Sequence, residues 1–356
     1  MYGYGNSLYL TANKILASSN AGTPPVNTVA PAITGTAQEG QTVTCSTGTW
    51  TGTAPITYAY QWKRNGSNIG SATNATYTLV TADVSQSITC QVTATNAVGS
   101  ANAISNTITP TSAVDPDAQA FITAAGITNP TQQGAINTLV VDLKGYSIWT
   151  KFKAIYPIVG GIASSHAVNL KTPGTYNLSF ATGWTHSANG MTPLNTFANT
   201  SLIENTSLNT NDSHISIYSR TNTSVGVLCD IGAATGSTQS NIFPNLGGVF
   251  YPRIQASNSG TSVSLDTRGL FMANRVNSTQ VQGWRNTTKY TISSNSTGKV
   301  TVPFWLADLN NNGVSGGVQS TRQLAFSSIG DGLTDTEAAN FYTAVQAFQT
   351  TLSRQV

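Results

Sequence analysis

Gly40-Gln-Thr-Val-Thr-Cys45, Tyr58-Ala-Tyr60-Gln-Trp62 and Ile88-Thr-Cys90-Gln-Val92-Thr-Ala94 are the stretches that decide the fold. Apolar and polar positions alternate in each: Val43 and Cys45, then Tyr58, Tyr60 and Trp62, then Ile88, Cys90, Val92 and Ala94. A period of two puts each set on one face of a strand, so two half-buried sheets are expected to close over them. Arg64-Asn65-Gly66-Ser67 comes directly after the Trp strand, and Asn-Gly tolerates the positive φ angles of a tight two-residue hairpin.

Working outward, the order Cys45, Trp62, Cys90 on such strands outlines an immunoglobulin-like sandwich over residues 28–110. Cys45 and Cys90 stand where that sandwich places its inter-sheet disulfide, whereas a reducing cytoplasm would keep both as buried thiols. Cys229, with no His beside it in sequence, reads as a small buried hydrophobe. A sandwich presents surfaces and has no inherent active site, so the expectation is binding or display.

The 356 residues exceed one such module and suit two domains of unequal size. Lys plus Arg number 16 and Asp plus Glu 13, which is 8% of the chain, against about 25% in average soluble proteins. Asn, Thr, Ser and Gly take their place, and 39% hydrophobic residues still suffice to build cores. A net charge of +3 without a Lys/Arg cluster leaves no footprint for nucleic acid. No apolar stretch approaches the roughly 20 residues that span a bilayer. The start, Met1-Tyr-Gly-Tyr-Gly, lacks the basic region and long apolar run of a secretory signal, so release by lysis is the expectation.

Residues 1–18 form a Tyr-rich head, read as a docking segment held by a partner surface, and 19–27 a Pro-containing linker. After the sandwich, residues 111–115 link to a second domain, 116–356. It opens with helices: Asp115 or Asp117 can cap a segment through Ala125, and Asn129-Pro130 starts another that ends at Gly145. Short β-type runs such as Tyr176-Asn-Leu-Ser-Phe180 and His214-Ile-Ser-Ile-Tyr218 follow, separated by Asn/Gly/Ser clusters, and predict a large antiparallel sandwich. Thr334 with Glu337 makes a capping box for a final helix. Its apolar stripe is Ala338, Phe341, Tyr342, Val345, Phe348 and Leu352. The fold class is mainly β.

Catalytic chemistry is poorly supplied. Glycoside hydrolysis needs two carboxylates roughly 5 to 10 Å apart, yet Glu39, Glu204 and Glu337 are the only glutamates and Glu337 is taken by the capping box. His166, His186 and His214 are far apart, which reads as structural histidines and no zinc site. Asp308-Leu-Asn310-Asn-Asn312-Gly313 starts like a calcium loop, but its twelfth position is Gln319 in place of a bidentate Glu, so a Gly-Asn hairpin is the better reading. No cofactor motif is present, and the chain is expected not to be an enzyme.

Sugar recognition sets an aromatic face under the apolar side of a pyranose, with amide and Arg groups on its hydroxyls. Gly183-Trp184-Thr-His186 and Gln282-Gly-Trp284-Arg285-Asn286 carry those ingredients in turn-rich settings. Tyr218, in Tyr218-Ser-Arg-Thr-Asn222, completes the candidate set. The same tryptophans would serve equally well as core residues with polar neighbours.

The stretches Asn27-Thr-Val-Ala-Pro-Ala-Ile-Thr-Gly-Thr36, Gly40 to Trp50, Tyr60-Gln-Trp62, Tyr77-Thr-Leu and Ala82-Asp83-Val to Cys90 resemble immunoglobulin-like modules of bacteriophage structural proteins and some bacterial surface proteins. The chain departs from antibody-type domains at Ile88, where their corner tyrosine would sit. Ala120-Phe-Ile-Thr-Ala-Ala-Gly-Ile-Thr, Ile136 to Tyr146, Gly183 to His186, Tyr218 to Asn222 and Ser328-Ile-Gly-Asp-Gly-Leu-Thr are similar to phage virion proteins. That resemblance implies a concanavalin A-like (laminin-G-like) jelly roll with N-terminal helices and a C-terminal helix. It also implies a fibre, spike or decoration on the virion surface that attaches to host or environmental glycans. Other virion proteins, reached through the N-terminal segment, would be its partners, on a homo-oligomeric mount for which a trimer is one option. The rival reading is a secreted bacterial carbohydrate-binding or adhesion protein; a glycan-degrading enzyme ranks third.

Overall fold

The computed structural model describes residues 22–223, 226–257, 260–262 and 266–356; the head assigned to 1–18 lies outside them. The chain divides into two compact units, Met1–Ala113 and Val114–Val356.

In the first unit, the alternation read from sequence sets the layers. One sheet runs Ser67–Asn68, Thr57–Arg64, Ile88–Asn96, Gly99–Ile104, and a second runs Ile33–Thr34, Thr42–Cys45, Thr76–Thr78. Val43, Cys45, Trp62, Ile88, Cys90 and Val92 share one buried core, and removing their apolar surface from water drives the two sheets together. Trp62 is fully buried, stacks on Tyr77 at 5.4 Å and donates its indole N–H to the Asn74 carbonyl at 2.9 Å. Asn65 and Gly66 take φ of 49° and 80°, the tight hairpin that Asn-Gly predicts. Cys45 and Cys90 are free buried thiols, whose S–H groups donate to the carbonyls of Ser46 at 3.3 Å and Gln91 at 3.9 Å. The neighbouring Cys45, with burial, pushes the Cys90 thiol up.

The second unit is mainly β and jelly-roll-like. One sheet runs Trp184–Ser187, Gly190–Pro193, Leu324–Gly330, Ser213–Ser219, Gly269–Arg275, Gln280–Arg285, Thr288–Ser293, with Phe152–Tyr156 also paired to Leu324–Gly330. The other runs Ser179–Phe180, Ala198–Ile203, Pro303–Leu306, Ile231–Thr235, Thr238–Leu246, Val249–Ala256, Thr261–Ser262. Ile215, Ile217, Phe271 and Ala273 of the first sheet meet Ile231, Ile242, Phe304 and Leu306 of the second in a core between them. The first sheet's other face carries Tyr218, Leu270, Met272, Trp284 and Phe326, and helices cover it.

Those helices begin where the sequence signals place them. α1 (Pro116–Ala124) is capped by Asp115, whose carboxylate accepts from the Asp117 N–H. α2 (Pro130–Gly145) is capped by Asn129. Two single-turn helices, α3 (Ala163–His166) and α4 (Glu204–Ser207), sit between strands. α5 (Asp335–Thr351) has the full capping box: the Thr334 N–H donates to Glu337 at 2.7 Å and the Glu337 N–H to the Thr334 hydroxyl at 3.3 Å. Its Phe341, Val345 and Phe348 are buried against the sheet.

Several charges are drawn inside and used as fasteners. Arg354 is fully buried and donates to the carbonyls of Ile158 (2.6 Å), Pro157 (3.2 Å) and Ala325 (3.1 Å); burial lowers its guanidinium to about 9. Asp230 and Arg322 form an ion pair at 2.8 Å with neither side chain exposed. Arg322 also donates to the Thr223 carbonyl at 2.8 Å, and Ser320 donates to Asp230 at 2.5 Å. Arg322→Leu removes one partner and leaves a carboxylate buried without its cation. It is expected to destabilise the chain by about 3–5 kcal/mol in urea unfolding, whereas Arg268→Leu, at an exposed and solvent-screened pair, is expected to leave the urea midpoint nearly unchanged.

A candidate aromatic site at the sheet edge

Gly183 opens the site. Its φ of 102° turns the chain into the edge strand Trp184–Ser187, and a Cβ there would lie 2.7 Å from the Leu194 carbonyl oxygen, so only glycine fits. The strand's period then puts Trp184 and His186 on one face. Phe180, from the edge strand of the other sheet, completes the group. Its ring meets Trp184 edge-on at 5.5 Å and His186 edge-on at 4.8 Å. Trp184 donates its indole N–H to the Phe197 carbonyl at 3.2 Å, which fixes the ring plane. All three residues are partly buried, and Phe180 and Trp184 pack against the core between the sheets. Leu194, 70% exposed, stands beside the entering turn and donates its N–H to the Gly183 carbonyl at 2.8 Å.

His166, at the end of α3, anchors the cluster from behind. Its Nδ1 lies 2.9 Å from Nδ1 of His186, with ring centroids 4.9 Å apart. One ring must carry its proton on Nδ1 and the other must leave Nδ1 bare. His166 Nε2 is buried without a partner among the described residues, and a bare nitrogen costs less there than an N–H left unmade. We therefore assign the Nδ1 proton to His166, which leaves His186 an N–H at Nε2 to offer a ligand. Burial, His186 and Arg354 push His166 down to about 3, and burial lowers His186. Both are neutral near pH 7, and no carboxylate belongs to the cluster.

The other candidates do not join it. Tyr218 is fully buried in the helix-covered core, with its hydroxyl accepting from the Val356 N–H at 3.1 Å. A ring without an open face cannot receive a sugar, so it is removed from the binding set. Trp284 is 8% exposed in the same core, and its indole nitrogen is buried without a partner among the described residues; it too is a packing residue. Arg285 lies over Phe271 at 5.9 Å and 3.7 Å from Asp266. Asn286 is the hairpin residue, with φ of 52° and its Oδ1 accepting from the Leu270 N–H at 2.9 Å. Local sequence gave no sign of Phe180 or His166. Period two linked Trp184 to His186, but the partners arrive from the opposite sheet and from α3.

The carboxylates are committed elsewhere. Glu204 is fully buried and accepts from Ser213 (3.2 Å), Gln255 (3.3 Å), Ser240 (2.9 Å) and the Val300 N–H (3.0 Å), with burial raising its carboxyl. Glu39 accepts from the Thr81 hydroxyl, and Glu337 holds the helix cap and Lys151. Asp308 is fully buried and takes hydrogen bonds from Ser315 (2.6 Å), the Leu309 N–H (2.8 Å) and Gln319 (3.1 Å). It thereby organises a hairpin that turns at Asn312 and Gly313. Among the described residues, no three His, Cys, Asp or Glu side chains gather as metal ligands.

No family model matches the chain, and no curated protein matches it. Among solved structures, it is similar to domain 4 of AbnA, a GH43 extracellular arabinanase from Geobacillus stearothermophilus, in complex with arabinotriose. The identity is 12% and the TM-score 0.34, covering 54% of this chain and 98% of that one. A likeness of that size carries no assignment of fold or ligand.

The histidines set an acid limit. His214 is fully buried, donates from Nδ1 to the Asp331 carbonyl at 2.6 Å and accepts at Nε2 from Ser328 at 3.2 Å; burial lowers it to about 4. A folded-state value below the unfolded one means that the unfolded chain binds the proton first. Stability is therefore full above about pH 6.5 and falls as pH drops toward 4, by about 1.4 kcal/mol per pH unit for each such histidine. Urea midpoints measured from pH 7 to 4 are expected to show this slope, and His214→Gln to flatten it.

Proposed function

We propose that the chain is a non-catalytic glycan-binding protein displayed on a bacteriophage particle as a fibre, spike or decoration. The observation that carries the binding is the half-open Phe180, Trp184 and His186 cluster. An indole and a phenyl ring offer apolar faces to the C–H side of a pyranose, and the His186 N–H offers a hydrogen bond to a hydroxyl. The neutral histidines and the absence of a carboxylate in the cluster suit recognition of an uncharged sugar. Glu204, sealed behind four hydrogen bonds, supports the non-enzymatic reading.

The phage setting rests on the resemblance of residues 28–110 and 116–356 to virion proteins, and brings with it an immunoglobulin-like first module and a concanavalin A-like second. On this reading residues 1–18 dock on other virion proteins, the mount is homo-oligomeric, and the chain lies on the virion surface. Mass spectrometry of purified particles tests that part, and a chain absent from them contradicts it.

Trp184→Ala is expected to weaken glycan binding about tenfold or more, read by calorimetry, with a cooperative melting transition retained to show that the variant is folded. Trp284→Ala is expected to act on the fold instead, with a loss of about 3–5 kcal/mol. Equal glycan affinity in Trp184→Ala and the unmutated chain overturns the assignment of the site.

A further inference from the structure

The two sheets of the first unit differ in length. Strands Thr57–Arg64 and Ile88–Asn96 have 8 and 9 residues, while the facing strands Ile33–Thr34, Thr42–Cys45 and Thr76–Thr78 have 2, 4 and 3. The inner face of the long sheet therefore overhangs its cover. Trp62, paired with Cys90, lies under the cover and is fully buried. Two steps along the same face Tyr60, paired with Val92, is half-buried, and Tyr58, paired with Ala94, is 40% exposed. Trp50, on the short ribbon formed by Val26–Val29 and Thr49–Thr51, lies beside Tyr58 with ring centroids 6.4 Å apart and planes at 50°. Its indole N–H donates to the Thr47 carbonyl at 2.7 Å, which holds the ring in place.

Charge is segregated away from this ledge. Glu39, Lys63, Arg64 and Asp83 are the charged residues among 22–113. Arg64 and Asp83 form an ion pair at the far end of the long strand, Lys63 precedes Arg64, and Glu39 is bonded to Thr81 two residues from Asp83. Residues 22–32, 47–60 and 90–104, which build the overhanging end, contain no charge. Neither tyrosine hydroxyl has a protein partner among the described residues.

We propose that Trp50, Tyr58 and Tyr60 form a second binding site, for a neutral pyranose chain. Tilted aromatic faces take the C–H sides of successive sugars, the free phenol groups hydrogen-bond their hydroxyls, and a surface without charge imposes no penalty on an uncharged ligand but offers nothing to a uronate. The site lies in the other unit from Trp184 and does not depend on that assignment.

The test uses the full chain carrying Trp184→Ala, with cellohexaose, xylohexaose and mannohexaose as probes in calorimetry. At least one is expected to bind, adding Tyr58→Ala to weaken it about tenfold or more, and Tyr58→Phe to keep it within about threefold. Hydroxyl-radical footprinting of the chain with native Tyr58, with and without the bound probe, makes the same comparison independently of the variants' folding; protection of Tyr58 and Trp50 is expected. The proposal is overturned if none of the three probes binds, if Tyr58→Ala leaves affinity unchanged, or if sedimentation shows a dimer that Tyr58→Ala dissolves, since the ledge would then be covered by a second copy. A result in which Tyr58→Ala matters and Trp184→Ala does not would remove the edge site and leave this one standing.

Discussion

Every apolar sheet face must be covered, and the extent of the cover decides what each aromatic side chain of this protein does. In the second unit the central sheet is covered on both faces, by the second sheet on one and by α1, α2 and α5 on the other. Aromatic residues under that cover, Tyr218, Trp284 and Phe326 among them, are packing material. At the edge formed by strands Trp184–Ser187 and Ser179–Phe180 the cover ends, and Phe180, Trp184 and His186 are left half open. The same transition runs along one strand of the first unit, from Trp62 through Tyr60 to Tyr58. Both proposed binding surfaces lie at the margins of packing.

The low charge content has a matching explanation. Four of the 13 acidic side chains, Asp83, Glu204, Asp230 and Asp308, are fully buried, and each accepts from protein donors or a paired arginine, although Asp230 does so through Oδ1 alone and its Oδ2 has no partner among the described residues. Arg275, Arg322 and Arg354 are likewise buried and each donates to backbone carbonyls that loops would otherwise leave unmade, Arg322 pairing with Asp230 and Arg354 with the Gln349 amide oxygen as well. A buried charge costs stability when its partners are lost, so these residues specify loop positions more than they add net energy. What remains outside is largely hydroxyl and amide.

Much of this was legible in the sequence because the signals are local. Alternation from Ile88 to Ala94, the Asn65-Gly66 turn, and the Thr334 with Glu337 capping box each involve residues within one element, and each appears as read. The site was only half legible. Ser213–Ser219, Gly269–Arg275 and Leu324–Gly330 are buried on both faces, so alternation vanishes in them and nothing local told Tyr218 to lie under the helices. Trp284 suffered the same ambiguity, since a turn-rich neighbourhood of Arg and Asn describes a ligand platform and a strand end equally. Phe180 and His166 reach Trp184 and His186 only through the tertiary fold, which composition and spacing do not encode.

The central claim is that the open edge rings, not the covered ones, meet the sugar. An NMR titration of the full chain with a bound neutral oligosaccharide, following the indole N–H resonances of the tryptophans and the ring protons of His186, tests it directly. Saturable shifts at Trp184 and His186 with Trp284 and Trp62 unmoved are the predicted result; shifts at Trp284 with Trp184 unmoved would contradict the account.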